Sequence, residues 1–327
     1  MNENQILCGD AVEILRTLPP ESVNCCVTSP PYYGLRDYGK DGQIGLEQTP
    51  AEYIARLVEV FREVKRVLRD DGTIWVVIAD SYAGSGKGAM SKERLREVKN
   101  KQSYKFSTDD PATKIPKTWD KIKPKDMIGI PWSLAFALRD DGWYLRSTVI
   151  WQKPNALPES CRDRPTRSYE YVFLLSKSYH YYYDQEAVKE PVAEGTIARM
   201  KRGVSGNHKY SEAAPGQTPQ TFNRPRPNRT GIYVSLAKTR NLRDVWTVST
   251  KAYHGAHFAV FPVELVEPCI LAGCPTGGVV LDPFFGSGTT GVAAASLGRR
   301  FIGIDLNPDF CKLAEERLKG VVADVNT

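Results

Sequence analysis

The segment 279–291, VVLDPFFGSGTTG, constrains the fold of this chain more than any other part of its sequence. An apolar run typical of a buried strand enters a glycine-rich turn, and residues 292–297 are predicted to form a helix. A second apolar run, 301–304, follows and ends in Asp305. A strand, a glycine turn, a helix and an acid-tipped strand predict the nucleotide-binding half of a doubly wound α/β sheet. The turn satisfies the pattern G-x-G-x-x-G through Gly286, Gly288 and Gly291.

The glycine pattern alone leaves the nucleotide open, because a nicotinamide-dependent (NAD) dehydrogenase carries the same pattern. Two features favour an adenosyl ligand without a pyrophosphate. Asp282 ends the predicted strand, where a carboxylate repels phosphates but can bind the ammonium group of a methionine. The pattern also lies late in the sequence, and we expect too little chain after it for the other strands of a dehydrogenase.

A second informative segment, Thr28-Ser29-Pro30-Pro31-Tyr32, follows a short apolar run. Two consecutive prolines cannot donate hydrogen bonds to a sheet and hold φ near about −65°, so the predicted strand must end here. The segment therefore presents a hydroxyl, a backbone carbonyl and an aromatic ring at the tip of a strand. We expect such a platform to bind a flat nucleobase by its exocyclic amine. The alternative is a proline-terminated strand that enters a loop.

The two segments together resemble the motifs of the S-adenosylmethionine (SAM)-dependent amino-methyltransferases that act on DNA. TSPPY is similar to their catalytic motif, DPFFGSGTT to their SAM motif, and FIGIDLNP to the segment that follows it. The order of the motifs, catalytic first and SAM last, resembles the circularly permuted β group of this family. Further similarity extends along most of the chain, in HFAVFPVEL (257–265), WQKPN (151–155), 162–167 and 170–173.

The resemblance also implies a target base. Within the family, a serine before the two prolines is typical of cytosine-N4 enzymes, whereas aspartate or asparagine is typical of adenine-N6 enzymes. Ser29 therefore predicts a site-specific DNA methyltransferase for the exocyclic N4 of cytosine, with adenine N6 as the alternative. An NAD-dependent dehydrogenase, a non-catalytic DNA-binding protein, and a methyltransferase that acts on RNA or on protein glutamine also stay open.

The chemistry explains why these residue types are required. An exocyclic amine is a poor nucleophile because its lone pair is delocalised into the ring of the base. Hydrogen bonds from its two protons to the Pro30 carbonyl and the Ser29 hydroxyl would direct that lone pair at the methyl group for in-line transfer. The base must leave the DNA stack to reach these groups, and Tyr32 would stack on it. The predicted catalytic residues are Ser29, Pro30, Pro31 and Tyr32.

The predicted SAM site draws on both ends of the chain. Asp282 is expected to bind the methionine ammonium, Asp305 the ribose hydroxyls, and Phe261 and Phe284 to form apolar walls. Asp10 resembles the acid that contacts adenine in the family, and a helix N-cap is the alternative for this residue. The full predicted set is Asp10, Thr28, Phe261, Pro262, Asp282, Pro283, Phe284, Gly286, Ser287, Gly288, Thr289 and Asp305.

Positive charge is concentrated in two segments, although the net charge of the chain is only +6. Segment 81–125 has 12 Lys and Arg against 5 Asp and Glu, and segment 191–243 has 10 against 2. A phosphate-contacting surface requires such concentration, and arginine suits bidentate contact with guanine. The alternative is a solvated lysine-rich loop. The predicted contacts with double-stranded DNA are Lys87, Arg94, Arg202, Arg224, Arg226 and Arg229.

The remaining features set the expected organisation. We divide the chain into a catalytic half (1–183, with the basic insert 81–125), a loop-rich target-recognition region (184–245) and a SAM-binding half (246–327). GSGKG at 84–88 fails the phosphate-loop pattern of nucleotide triphosphatases. Predicted helices cover 10–15, 50–68 and 131–139, and predicted strands cover 5–7, 23–28, 73–79, 143–151, 169–176 and 180–183.

No metal is expected, because the seven cysteines lack metal-site spacing and the pair His254 and His257 has no second ligand cluster. Pro268-Cys269 has the form of a cytosine-C5 catalytic pair, but its place in a predicted helix indicates packing. The sequence shows no signal peptide or membrane-length apolar run, so we expect a cytoplasmic, DNA-associated protein. A cognate restriction endonuclease encoded nearby would be its functional partner.

Overall fold

The computed structural model describes residues 4–83, 121–195, 239–250 and 261–325. Its strands are β1 (Gln5–Cys8), β2 (Val23–Thr28), β3 (Leu68–Ile78), β4 (Tyr144–Gln152), β5 (Tyr169–Ser176), β6 (Glu190–Pro191), β7 (Thr239–Arg240), β8 (Val245–Thr247), β9 (Val279–Asp282) and β10 (Arg300–Asp305). Its helices are α1 (Ala11–Thr17), α2 (Pro50–Val67), α3 (Ile130–Asp140), α4 (Val263–Gly273), α5 (Thr289–Ser296) and α6 (Pro308–Val325).

Eight strands form one mixed sheet in the order β1-β10-β9-β2-β3-β5-β4-β8. The first five run parallel, β5 is antiparallel to both of its neighbours, and β8 is parallel to β4. The strand that carries the TSPPY motif, β2, pairs with β9, which carries the SAM motif. Because the two strands are parallel, their carboxyl ends, and with them both motifs, lie at the same edge of the sheet.

Helices cover both faces of the sheet, as the doubly wound prediction requires. Ile74, Val76 and Ile78 of β3 pack in one core with apolar residues of α1, α2 and α3. Residues between them point to the opposite face. There, Thr73 and Trp75 approach the backbone of α4 so closely that only Gly273 fits. The core thus has two layers of helices with a buried sheet between them.

Of the four helices with predicted bounds, three begin within one residue of the predicted start and one begins three residues earlier. Thr49 caps α2 in a capping box with Glu52, and Pro50 occupies its first turn. We predicted that the helix after the glycine turn starts at residue 292, but α5 starts at Thr289. Gly288 has φ +79° and caps the helix, so the helix begins directly after the turn.

The predicted strand at 180–183 is wrong. Antiparallel pairing of β5 with β3 ends at Ser176, opposite Thr73. Beyond Thr73, β3 contains a register shift relative to β2, which interrupts the regular ladder. The segment after Ser176 makes two isolated backbone hydrogen bonds to this region, from Lys177 to the carbonyl of Gly72 and from Tyr182 to the carbonyl of Asp71.

The chain divides into two compact units. One contains 1–184 and 244–327, and the other is Gln185–Arg243. In the second unit, β6 pairs with β7, and Glu190 binds both Arg240 and Arg243. Recognition of the target sequence by this region, and the division of the chain into three parts, stay predictions.

We predict that Gly273→Ala lowers the free energy of unfolding by about 1–3 kcal/mol, because the added methyl group overpacks the core. A Cβ atom there would lie 2.6 Å from Thr73 Oγ1 and 2.9 Å from Cys25 Sγ. Gly320→Ala is the matched control, since nothing lies within 4 Å of a Cβ at that helical position. Urea unfolding of both variants tests this packing. An unchanged free energy of unfolding for Gly273→Ala would contradict it.

Candidate active site

A buried carboxylate joins the two motifs. Asp282 is 1% exposed and accepts from the Thr28 hydroxyl through Oδ1 (2.6 Å) and from the Thr290 hydroxyl through Oδ2 (2.7 Å). The Phe284 amide also donates to Oδ1 at 3.0 Å. These donors belong to β2, α5 and the glycine turn, so one side chain links all three.

Burial raises the pKa of Asp282 to about 6, although the hydrogen bonds from Thr28, Thr290 and Phe284 oppose this rise. Asp282 is therefore mostly ionised at neutral pH. Its oxygens are turned toward these donors, and the side chain does not line the neighbouring cavity. Its predicted contact with a methionine ammonium stays a prediction, whereas its role as a link between strands is visible.

The glycine turn is held by a second carboxylate. Asp305, at the end of β10, accepts from the amide of Gly286 at 2.7 Å and from that of Asn307 at 2.8 Å. Burial raises the pKa of Asp305 above its usual value. Phe285 lies directly over Gly303, where a Cβ would approach the ring to 2.3 Å. The turn is thus fixed to β10 through both its backbone and its aromatic ring.

The catalytic motif is supported from the opposite face of the sheet. Tyr53 of α2 is fully buried and donates to the Pro31 carbonyl at 2.7 Å. The chain then turns back, and Gly45, with φ +109°, approaches the Tyr32 carbonyl so closely that a Cβ would lie 3.2 Å away. The Tyr32 hydroxyl donates to Glu170 at 2.7 Å. Buried contacts on several elements therefore fix the position of the motif.

A cavity of about 150 Å³ lies at the carboxyl edge of β2 and β9. It brings together most of the predicted site. The predicted residues that line it are Asp10, Ser29, Pro30, Pro31, Tyr32, Phe261, Pro283, Phe284, Gly286, Ser287, Thr289 and Asp305. The predicted residues that do not line it are Thr28, Pro262, Asp282 and Gly288.

Asp10 caps a helix at the edge of the cavity. Its Oδ1 atom accepts from the amides of Val12 and Glu13, which confirms that it is the N-cap of α1. The residue also lines the cavity. Its contact with adenine stays a prediction.

The sequence reasoning missed the loop that follows the catalytic motif, which forms a further wall of the cavity. Tyr38 packs edge-on against Phe310, with ring centroids 5.9 Å apart. Gln43 fastens the loop by accepting from the Tyr38 amide and donating to the Arg36 carbonyl. The only signal was its place directly after the motif, because the loop lacks periodicity. The unpredicted lining residues of this loop are Leu35, Arg36, Tyr38, Lys40, Gly42, Gln43 and Ile44.

The six predicted DNA contacts, Lys87, Arg94, Arg202, Arg224, Arg226 and Arg229, lie outside the described residues, as do His254 and His257. Within the described ranges, no three His, Cys, Asp or Glu side chains are grouped to hold a metal ion. Pro268 and Cys269 lie inside α4, and Cys269 is buried in the core.

The cavity has the chemistry that SAM requires. Aromatic side chains from three segments, Phe284, Phe310 and Tyr38, offer apolar walls to an adenosyl group. The carboxylates of Asp10 and Asp305 provide acceptors for amine and ribose hydroxyl protons. Gly286, with φ +51°, brings backbone close to the ligand space without a side chain. Fold and site together define a nucleotide-binding α/β enzyme of the methyltransferase class.

Comparison with known proteins identifies the family. The DNA methylase family (N6/N4 methyltransferases) matches residues 23–316, and the chain belongs to it. The Type II methyltransferase M.Cfr9I of Citrobacter freundii is 46% identical over 98% of this chain and 89% of its own length. The Type II methyltransferase M.SmaI of Serratia marcescens is 45% identical over 96% of this chain and 90% of its own length.

Solved structures share the fold. TTHA0409 from Thermus thermophilus, solved with S-adenosyl-L-methionine, matches with a TM-score of 0.58 and 22% identity, over 98% of this chain and 94% of that one. The PvuII DNA methyltransferase (cytosine-N4-specific) matches with a TM-score of 0.59 and 16% identity, over 99% and 93%. As a member of the matched family, the chain is a DNA methyltransferase. Every described helix is too short or too polar to cross a membrane.

We predict that Thr28→Val lowers the free energy of unfolding by about 1–3 kcal/mol, because it removes one of the two hydrogen-bond donors to Oδ1 of the buried Asp282. The folded-state pKa of Asp282 lies above its usual value, so ionisation of this group costs stability as the pH rises through about 6. Loss of the Thr28 donor enlarges that cost only where Asp282 is ionised. The penalty should therefore be larger at about pH 8 than at about pH 5.

Urea unfolding at both pH values measures this difference. Thr17→Val is the control, because the Thr17 hydroxyl is exposed and donates only to the carbonyl of Ile14. An equal Thr28→Val penalty at the two pH values would show that the hydroxyl does not act through the Asp282 carboxylate.

Proposed function

We propose that this protein transfers the methyl group of SAM to the exocyclic N4 of cytosine in double-stranded DNA. The observation that carries the proposal is the shared cavity of Ser29, Pro30 and the predicted SAM residues. A hydroxyl and a proline carbonyl are both acceptors, which is what the two protons of an exocyclic amine require. SAM supplies the electrophilic methyl group to this site.

The residue at the first position of the motif supports cytosine as the base. Ser29 stands where adenine-N6 enzymes typically carry aspartate or asparagine, and the PvuII enzyme, which shares the fold, is named as cytosine-N4-specific. Adenine N6 uses the same acceptors and the same in-line geometry, so it is the alternative outcome of the test below. The circularly permuted order and a cognate endonuclease belong to the same proposal.

Side chains at the same edge of the sheet suit a nucleic acid. The guanidinium of Arg164 lies 3.9 Å from the ring centroid of Tyr82, and Arg167 binds the carbonyl of Asp80. Tyr169 is adjacent to them at the start of β5. Cations that alternate with aromatic rings bind phosphates and unstacked bases.

Nucleoside mass spectrometry on DNA incubated with the protein and deuterated-methyl SAM tests the base directly. We expect labelled 4-methylcytosine. Labelled 6-methyladenine would show that the protein is a DNA amino-methyltransferase whose target base is adenine instead of cytosine. SAM binding without any labelled nucleoside in mixed-sequence DNA would overturn the proposed substrate.

We predict that Ser29→Ala lowers the rate of methyl transfer by about 100-fold or more while SAM still binds, because one acceptor for the amine is lost. Ser22→Ala is the matched control. The Ser22 hydroxyl lies just before β2, at the opposite end from the motif, and donates only to the carbonyl of Pro19. Single-turnover transfer and calorimetric SAM affinity separate the two effects, and an unchanged rate for Ser29→Ala would refute its role.

A further inference from the structure

A polar chain leads away from the cavity behind the catalytic motif. Tyr32 donates to Oε2 of Glu170 at 2.7 Å, and the ammonium group of Lys153 pairs with Oε1 of the same carboxylate. The Glu170 and Lys153 side chains are only 13% and 18% exposed. Sheet register places Glu170 opposite Trp151, whose ring lies 4.2 Å from the Lys153 ammonium. Such a shielded ion pair is costly unless its geometry is well satisfied.

The hydrogen bonds of this chain have a fixed direction. A phenol has one proton, and Tyr32 donates it to Glu170. The Ser29 side chain interacts with the Tyr32 hydroxyl. Because Tyr32 donates its own proton to Glu170, a hydrogen bond between the two hydroxyls must use the Ser29 proton. Burial and the neighbouring Glu170 raise the pKa of Tyr32, which keeps its proton in place at neutral pH. The lone pairs of Ser29 Oγ are therefore available to an amine in the cavity.

We propose that Glu170, held by Lys153, is a positioning residue that orients the Ser29 and Tyr32 hydroxyls and receives, through them, the proton released by the target amine. The inference rests on the proposed transfer to an exocyclic amine. It holds for cytosine N4 and for adenine N6 alike. Neither sequence motif contains Glu170 or Lys153.

The step balances in atoms and charge. The amine lone pair forms the new nitrogen–carbon bond as the methyl–sulfur bond breaks, and the positive charge passes from sulfur to nitrogen. One amine proton moves to Ser29 Oγ, the Ser29 proton moves to the Tyr32 oxygen, and the Tyr32 proton moves to Glu170. Glu170 becomes a neutral carboxylic acid. An ammonium formed on an aromatic base is a far stronger acid than a carboxylic acid, so the net transfer is downhill.

Single-turnover methylation by Glu170→Gln, Tyr32→Phe and the double variant tests this chain. Glutamine preserves the size of Glu170, removes its charge and replaces one of its two acceptor oxygens with an NH2 donor. We expect Glu170→Gln to slow the transfer step by about 100-fold, with SAM and DNA affinities unchanged. Tyr32→Phe keeps the ring but breaks the chain, and should have a similar effect. The double variant should be no slower than the slower single variant, because both changes interrupt one pathway.

Glu63→Gln is the matched control. Glu63 of α2 is also a paired carboxylate, but its partners are Arg16 of α1 and Arg66 of α2. A wild-type transfer rate for Glu170→Gln would overturn the inference. Rate losses that multiply in the double variant would also overturn it. If Glu170→Gln loses SAM binding, the transfer rate of Tyr32→Phe tests the pathway instead, because this variant leaves the ion pair of Glu170 and Lys153 intact. A wild-type rate for Tyr32→Phe would then contradict the inference.

The wild-type protein separates this inference from the proposed function. Absence of any labelled amine in DNA treated with the wild-type protein contradicts the proposed function itself. If the wild-type protein methylates DNA and Glu170→Gln transfers the methyl group at the same rate, only the proton pathway is contradicted.

Discussion

The buried carboxylate of Asp282 is the interaction on which the rest of the site depends. Thr28 and Asp282 are 254 residues apart in the chain, yet their side chains meet at 2.6 Å. An ionised group in the core costs free energy unless hydrogen bonds compensate it, and here two hydroxyls and one amide do so. All three donors lie in or directly beside the motifs. The hydrogen bonds that stabilise the charge of Asp282 therefore also set the distance between the catalytic strand and the glycine turn.

The same edge of the sheet is fastened from both faces. Tyr53 holds the Pro31 carbonyl from the α2 face, while Asp305 holds the amide of Gly286 at the end of β10. Prolines and glycines make this possible for opposite reasons, since Pro30 and Pro31 remove donors and Gly288 admits a left-handed φ. The proposed acceptors for the amine and the proposed walls for the cofactor are thus supported by regular elements, which is what precise transfer requires.

Sequence alone predicted the parts of the site whose backbone chemistry is local. The prolines after β2 and the glycines after β9 end their strands in any context, so the motif residues lie where they were expected. Two kinds of information were missing. The direction of the Asp282 carboxylate depends on the hydroxyl of Thr290, in the first turn of α5, so the sequence alone could not show that this side chain does not line the cavity. The wall at 35–44 has no periodicity, so neither spacing nor propensity marks it.

The position of Glu170 was also not predictable from local sequence, because it depends on the direction of β5 in the sheet. Because β5 runs against β3, its first residues lie at the edge where the parallel strands end, and register places Glu170 near Lys153, which directly follows β4. A proton that arrives at Glu170 neutralises one member of an ion pair and leaves the ammonium of Lys153 without its counter-charge. In the proposed pathway, the proton must therefore leave Glu170 before the original ion pair can form again.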